Sequence, residues 1–387
     1  MGEIMGMELE REKVLSAIYH CVKCKLCSIA SFHPSDEWQP LCPSGVYYGY
    51  QAFYAPGKME IFRAILEGEI TEPSEGLLKA IYACTVCGAC SEQCKQITSV
   101  ELGAPELFEA MRHEMATKGW VLDEHKAIAG KIKETRNAYG EKYKYEAKTT
   151  SDNADVLYYI GCTARYRVPE IADAMLAIFN KLGIKYQVMD EEWCCGSVLI
   201  RTGQVEAANE LVAHNAEEIK RSGAKTVIFT CPGCLKTFKK NYPDMGVELL
   251  HATEFLARFG NGNGNGNGNM NLKKADMKVS YHDPCHLGRD LGIYDEPRAI
   301  LSEIADIKAM KREREQAWCC GSGGGVKSAY DGFALWSAAE RLKEAKEAGA
   351  EALVSACPFC KRNLKEAAEK EELEVYDVVE LVNRSLR

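Results

Sequence analysis

Short apolar runs alternate with longer stretches whose apolar positions recur every three or four residues across 154–259. "DVLYYIGC" (155–162), "YQVM" (186–189) and "AKTVIFTC" (224–231) are too short for helices and rich in β-branched and aromatic residues, which predicts buried strands. Between them, "VPEIADAMLAIFNKLG" (168–183) sets Ile171, Met175, Ile178 and Leu182 on one face, and "GQVEAANELVAHNAEEIKRSG" (203–223) has the same helical period. Strand and helix in strict alternation predict parallel βαβ units. Residues 277–387 repeat the order with "MKVSYHDPC", "EPRAILSEIADI", "CCGSGGG", "FALWSAAERLKEAKEAG" and "EALVSACPFC". The chain therefore reads as two tandem α/β units, 154–259 and 277–387. They are joined by an Asn/Gly-rich linker, 260–276, whose "NGNGNGNGN" core is too polar and Gly-rich to pack.

Residues 1–150 have a different texture. "APGKMEIFRAILEGEI" (55–70) brings Met59, Phe62, Ile65 and Leu66 to one face. "APELFEAMRHEMATKG" (104–119) does so with Leu107, Met111 and Met115. Each has a proline near its start and a glycine near its end, and the polar "KYKYEAKTTSDNAD" (142–155) reads as a connection to the first α/β unit.

With 387 residues, 46% of them hydrophobic, the chain can bury two or three cores. A formal net charge of −8 and the absence of a long basic run argue against nucleic acid or an anionic membrane as partner. The N-terminal "MGEIMGMELEREK" has no apolar signal core, and no run of eighteen apolar residues could span a membrane. A cytoplasmic protein is expected, reaching a membrane only through a partner subunit.

The 18 cysteines change this picture. A reducing compartment disfavours structural disulfides, and buried thiols serving as small hydrophobes would be scattered. These are grouped. "CVKCKLC" supplies Cys21, Cys24 and Cys27; "CTVCGAC" supplies Cys84, Cys87 and Cys90, with Cys94 after it and Cys42 in "LCPSG". CxxCxxC triplets wrap three thiolates around one face of a cubane, and in two-cluster ferredoxins the remote cysteine of each run serves the other cluster. That rule groups Cys94 with Cys21, Cys24 and Cys27, and Cys42 with Cys84, Cys87 and Cys90. Two departures stand out: the long gap from Cys27 to Cys42, and Lys95 where a proline usually follows. Zinc pairs could use the same eight thiols, although the triplet spacing is that of iron–sulfur clusters.

Each α/β unit carries five more. Cys162, Cys194, Cys195, Cys231 and Cys234 recur as Cys285, Cys319, Cys320, Cys357 and Cys360. Adjacent cysteines are about 3.8 Å apart at Cα, too close for a relaxed disulfide. Tetrahedral zinc would leave one thiol of five idle. A larger cluster uses all five, the vicinal pair reaching two neighbouring irons, with Gly196, Gly321 and Gly323 letting the backbone approach bulky sulfide. Cys162, Cys231, Cys285 and Cys357 follow predicted strands, where open parallel sheets bind their ligands.

These motifs, with "YHDPCHLGRDLGIYDEPRAI", "WCCGSGGG" and "ACPFC", resemble the CCG-domain iron–sulfur oxidoreductases. A two-cluster ferredoxin domain ahead of two CCG units is similar to the D subunits of the heterodisulfide reductases of methanogenic archaea. The resemblance implies a helical ferredoxin-like domain (1–150) with two cubane [4Fe-4S] clusters, then two α/β CCG domains related by a pseudo-two-fold, each holding a non-cubane [4Fe-4S] cluster. It further implies a catalytic subunit that reduces the coenzyme M–coenzyme B disulfide between the two non-cubane clusters. Electrons would come from a partner, a membrane b-type cytochrome or another donor protein. The alternative it leaves is an electron conduit for a glycerol-3-phosphate, lactate or glycolate dehydrogenase, delivering to a quinone.

"GSGGGVKS" misses the P-loop pattern at Val326, and no nicotinamide or flavin fingerprint is present. His282, His286, Arg289 and Arg165 lie close in sequence to the thiols. They either orient sulfurs and hold an anionic substrate or cap strands and pair with carboxylates. Trp193 and Trp318, each just before a vicinal pair, read as packing walls.

Overall fold

The computed structural model describes residues 11–29, 39–142, 145–260, 270–369 and 373–387; the "NGNGNGNGN" core of the linker lies outside them. Two four-stranded sheets form the C-terminal two-thirds. The first is β1 (Val156–Tyr159), β2 (Tyr186–Val188), β3 (Thr226–Phe229) and β4 (Glu248–His251), in the order β2-β1-β3-β4. The second is β5 (Lys278–His282), β6 (Asp306–Ile307), β7 (Ala352–Ser355) and β8 (Glu374–Asp377), in the matching order β6-β5-β7-β8. All strand pairs are parallel, with Val156 opposite both Tyr186 and Thr226, and Val279 opposite Ala352. The mixed helical and parallel α/β architecture agrees with the sequence, with three corrections. Each unit has four strands rather than three, because β4 and β8 add an edge. In the second unit "CCGSGGG" is not a strand, and the partner of β5 is the two-residue β6, in the tail of "EPRAILSEIADI", whose helix stops at Ile304.

The order 2-1-3-4 reverses between β1 and β3, and between β5 and β7. Open parallel sheets bind ligands at that reversal, beyond the carboxyl ends of the two strands. Cys162 follows β1 and Cys231 follows β3, while Cys285 follows β5 and Cys357 follows β7. The topology thus delivers four thiols to two equivalent places.

The two units share a core. Helix Pro169–Lys181 of the first packs on Val378–Ser385 of the second, and Ala252–Gly260 packs on Asp295–Ile304, two equivalent contacts such as a pseudo-two-fold generates. Ile171, Met175, Ile178, Leu256, Ile300, Leu301 and Val382 are almost fully buried in that layer. Fully burying a side chain of this kind contributes about 1.5–3 kcal/mol, so the pair is held as one body by its helices. The C-terminal end of the linker is tied to the second unit: Lys273 N–H donates to the Ser385 carbonyl and Ala275 N–H to that of Ile304. In the connection to the first unit, Thr149 and Thr150 lie along β2, hydrogen-bonded to Val188 and Tyr186.

The N-terminal part is helical, with its own core around Phe62, Ile81, Leu107, Met111 and Met115. Helices Ala55–Leu66 and Ala104–Thr117 each begin with a proline in the first turn, where the missing N–H costs nothing. Arg112 is completely buried. It donates to the carbonyls of Ile81, Cys84, Arg201 and Gly324 at 2.7–2.9 Å, tying the N-terminal part to both units. Arg312 reaches the Pro40 carbonyl at 2.6 Å, and His125 joins the Gly325 carbonyl at 3.1 Å.

Candidate functional site

All ten cysteines of the two α/β units line one cavity of about 370 Å³. Local structure explains their orientation. Cys231 and Cys357 are N-caps of helices that open with Pro232 and Pro358, and Cys357 Sγ accepts from Cys360 N–H at 3.4 Å. Cys319 Sγ accepts from Gly321 N–H at 3.4 Å. A helix start favours negative charge, which is what a metal-bound thiolate carries.

Within each five the thiols contact one another. Contacts with Cys194 and Cys234 hold Cys195 well below the ordinary thiol range, while Cys194 and Cys234 are pushed up. Cys320 is likewise held down by Cys319 and by Cys360, whose sulfur is 3.3 Å away. Cys162 adjoins Cys194 and Cys285 adjoins Cys319. The two fives meet where Cys231 contacts Cys357.

The other eight thiols also gather. Cys42, Cys84, Cys87 and Cys90 line a small cavity of about 30 Å³. Cys21 is pushed up by burial and by the neighbouring Cys94 and Cys24. Burial and then Cys42, Cys21, Cys94 and Cys24 raise Cys27 to about 12. The structure thus sets Cys94 beside the first triplet and Cys42 beside the second. Cys87 in turn touches Cys319: that hydrogen bond, helped by the Arg289 guanidinium, holds Cys87 down to about 5. Arg289 is wedged at this junction and donates to the carbonyls of Cys87, Glu315 and Ala317.

The side chains flagged by sequence divide. Arg165 and Glu192 form a buried pair at 3.1 Å, and Glu192 also accepts from Ile160 and Gly161 N–H, so Arg165 braces the strand end. His286 lines the cavity, its Nε2 buried without a hydrogen-bond partner. His282 Nδ1 accepts from Arg341 Nε at 3.2 Å. Trp193 stacks on His214 at 3.6 Å between ring centres, and Trp318 donates to the Ser337 carbonyl while packing on Trp336. The glycine reading needs correction. Gly196 and Gly321 adopt φ of 83° and 91°, and a Cβ on Gly321 would meet the Ala334 carbonyl at 2.7 Å; one on Gly323 would meet the Thr85 carbonyl at 2.7 Å. Tight turns and packing against protein, rather than room for sulfide, demand these glycines.

Several lining residues escaped the sequence. Ile128, Lys131, Ala138 and Tyr139 come from 123–142, outside every cysteine motif, and Arg167, Arg201, Lys327 and Arg362 add positive charge. Tyr139 packs against the Arg167 and Arg362 guanidiniums, 4.1 and 5.6 Å from its ring centre. Arg201 and Arg341 sit on buried helix faces, and an Arg at an apolar position of the period is the signal that could have found them. Lys131 and Ser328 are exposed and mark where the cavity reaches the surface.

Among the described residues, the lining holds ten thiols, several cations and no carboxylate. Soft sulfur donors backed by positive charge suit thiolate-ligated iron–sulfur clusters and not hard cations. Such a donor set on a pair of parallel α/β units defines an iron–sulfur oxidoreductase. Residues 156–239 and 279–365 match the CCG cysteine-rich domain, and residues 14–97 match a 4Fe-4S dicluster domain. The chain is 37% identical over 326 residues to the D subunit of the dihydromethanophenazine:CoB–CoM heterodisulfide reductase of Methanosarcina barkeri, covering 79% of this chain and 78% of that one. It is 34% identical over 324 residues to the B subunit of the fumarate reductase (CoM/CoB) of Methanothermobacter marburgensis, covering 81% of this chain and 63% of that one. To the EtfAB:quinone oxidoreductase of Syntrophomonas wolfei subsp. wolfei it is 26% identical over 340 residues, 80% of this chain and 47% of that one. The chain belongs to the CCG-domain iron–sulfur family that includes the heterodisulfide reductase D subunits. No helix among the described residues is long and apolar enough to cross a membrane.

Proposed function

We propose that this chain is the catalytic iron–sulfur subunit of a heterodisulfide reductase that splits the coenzyme M–coenzyme B disulfide. The observation that carries the reading is the single cavity onto which both sets of five thiols open. An electron conduit has no need of two complete five-thiol sites that open onto one another. In this reading Cys21, Cys24, Cys27 and Cys94 hold one cubane cluster, and Cys42, Cys84, Cys87 and Cys90 the other. Each five holds a non-cubane [4Fe-4S] cluster, within CCG domains at 154–259 and 277–387 that follow a ferredoxin-like domain at 1–150. Bound there, the clusters supply one-electron transfer and iron able to hold a sulfur fragment.

The residues of the chain do the rest. Contact of Cys87 with Cys319 brings the second cubane site against the second CCG site, which supports electron entry from the N-terminal part. Lys131 offers positive charge to an anionic end of the substrate at the mouth, with Arg167, Lys327 and Arg362 beside it in ion pairs with Glu141, Asp331 and Glu366. The reaction balances as R–S–S–R′ with two electrons and two protons giving R–SH and R′–SH: the S–S bond breaks, two S–H bonds form, and the protons come from water. Electrons come from a donor protein, a membrane b-type cytochrome in the family arrangement, which would hold this subunit at the cytoplasmic face.

The competing reading is a conduit between a flavin dehydrogenase and a quinone, favoured by the likeness to the EtfAB:quinone oxidoreductase. Anaerobic assays with the whole chain separate the two. Cys90→Ser is expected to abolish disulfide reduction driven by the donor protein while sparing reduction driven by a small dye that reaches the cavity. Cys320→Ser removes both, because serine is a poor ligand for iron–sulfur chemistry. Wild-type protein that reduces quinone but no disulfide with any donor overturns the catalytic reading.

A further inference from the structure

The two five-thiol sites are related by sequence but not by surroundings. Three residues before Cys285 stands His282, the last residue of β5; three before Cys162 stands Tyr159, the last of β1. Tyr159 turns its hydroxyl away, donating to the Trp193 carbonyl at 2.5 Å. His282 does the opposite: a ring nitrogen and the sulfurs of Cys320 and Cys360 all lie within 4.8 Å of one another.

Which nitrogen carries the proton is decided on the far side of the ring. Arg341 Nε–H can only donate, and it points at Nδ1 from 3.2 Å. Nδ1 must therefore present its lone pair, and the neutral ring carries its proton on Nε2, which is buried with no hydrogen-bond partner of its own. Arg341 is itself fixed: Nη1 donates to the Arg312 carbonyl and to Glu344 Oε2, both at 2.6 Å, and Arg312 Nε donates to Glu344 Oε1 at 2.9 Å. In the first unit the corresponding helix offers Asn215, whose amide is spent on the carbonyls of Trp193 and Cys194. One site has an ionic frame behind an N–H donor. The other has an aromatic ring.

We propose that His282 is a positioning residue that donates its Nε2–H to the sulfur of Cys320, and that it makes the second site easier to reduce than the first. The inference rests on the iron–sulfur reading of the ten thiols. A ring whose Nε2 holds a proton cannot be an iron ligand, so the His–Cys–Cys group serves as a donor site and not as a separate metal site. Hydrogen bonds to cluster sulfur stabilise the more negative, reduced form and raise the potential. The favoured site is also the one beside Cys87, where electrons arrive from the N-terminal part.

The test is an anaerobic redox titration of the iron-loaded whole chain followed by EPR, the second-site signal being the one lost in Cys320→Ser. His282→Phe is expected to make that site about tenfold harder to reduce, a drop of about 59 mV for one electron. The first-site signal should be unmoved, and His282→Gln, which keeps an N–H donor, should restore most of the loss. Equal potentials in His282→Phe and wild type, with iron content intact, overturn the proposal. Because the Phe variant could fail to load iron, pulsed EPR of wild type labelled with 15N-histidine gives a second reading. A weak coupling through sulfur is expected, and a strong coupling of a directly bound nitrogen overturns the proposal. Zinc in place of iron in wild type sinks the iron–sulfur reading and the proposal with it, whereas an unmoved potential sinks the proposal alone.

Discussion

Arg112 is the test of how the N-terminal part is held on the two α/β units. It lies on the buried face of helix Ala104–Thr117, beside Phe108, Met111 and Met115, and is 0% exposed. Nη1 donates to the carbonyls of Arg201 (2.7 Å) and Gly324 (2.9 Å), and Nη2 to those of Ile81 (2.8 Å) and Cys84 (2.7 Å). One side chain thus closes a helix end of the first unit, a glycine loop of the second, and the turn that enters the second cysteine triplet. Each charge-assisted hydrogen bond is worth about 1.5–3 kcal/mol, but burying the guanidinium costs several kcal/mol in return. Removing it leaves up to four buried carbonyls without this donor, at about 1–3 kcal/mol each, offset by relief of the guanidinium's burial cost, for a net loss of about 3–5 kcal/mol. At 1.4 kcal/mol per decade, Arg112→Met should raise the opening equilibrium of this interface by two to three and a half decades, roughly. Amide hydrogen exchange on the anaerobic, iron-loaded chain reads this directly. Protection should fall by that factor in Ala104–Thr117 and Ser197–Arg201 while β1 and β3 stay unchanged. Arg112→Lys keeps the charge but not the fork and should fall between. Exchange within about fivefold of wild type in the Met variant would refute the argument, since it would place the docking energy elsewhere.

His125 gives the interface a pH dependence. Burial pulls its pKa from 6.5 to about 4, so the folded chain keeps it neutral where the unfolded chain protonates it. Stability is then full above pH 6.5 and lost as pH falls toward 4. Linkage puts the loss between pH 7 and pH 5 at about 2 kcal/mol, and His125→Gln should remove that slope in denaturant unfolding followed at both pH values. The grouping of the fourth thiols predicts iron content: each cubane lost removes about four irons from a total of about sixteen. Cys42→Ser with Cys90→Ser should lose no more than either alone, whereas Cys42→Ser with Cys94→Ser should lose both. Additive loss in the first pair, by anaerobic iron analysis, would mean that these thiols serve different clusters.

The thiol groups were legible because metal ligation imposes spacing on sequence. CxxC, CxxCxxC and CysCysGly put sulfur where backbone geometry can deliver it to one point, and those patterns survive without knowledge of the fold. The edge strands were not. "ELLH" in β4 and "EVYD" in β8 are four residues long and carry charges, and β6 has two residues. A strand that short is defined by the neighbour it pairs with and not by its own period. The wall of the cavity was hidden for a different reason. Tyr139 and Lys131 reach it from a segment whose sequence is polar and unpatterned, and only the docking held by Arg112 and His125 brings them there.

That division bears on function. Ligation is written in local spacing, so catalysts and conduits of this family share it and sequence alone separates them poorly. The structure adds what lies around the ten thiols. Residues outside the cysteine motifs complete the wall: a tyrosine held between two arginines, a lysine at the mouth, and no carboxylate among the described lining residues. In the proposed reading the clusters would fill much of this cavity, and the cations around it would meet an anionic disulfide at its mouth. The Cys87–Cys319 contact serves the electrons: in the proposed reading it sets sulfur against sulfur between the second N-terminal cysteine group and the second five-thiol site.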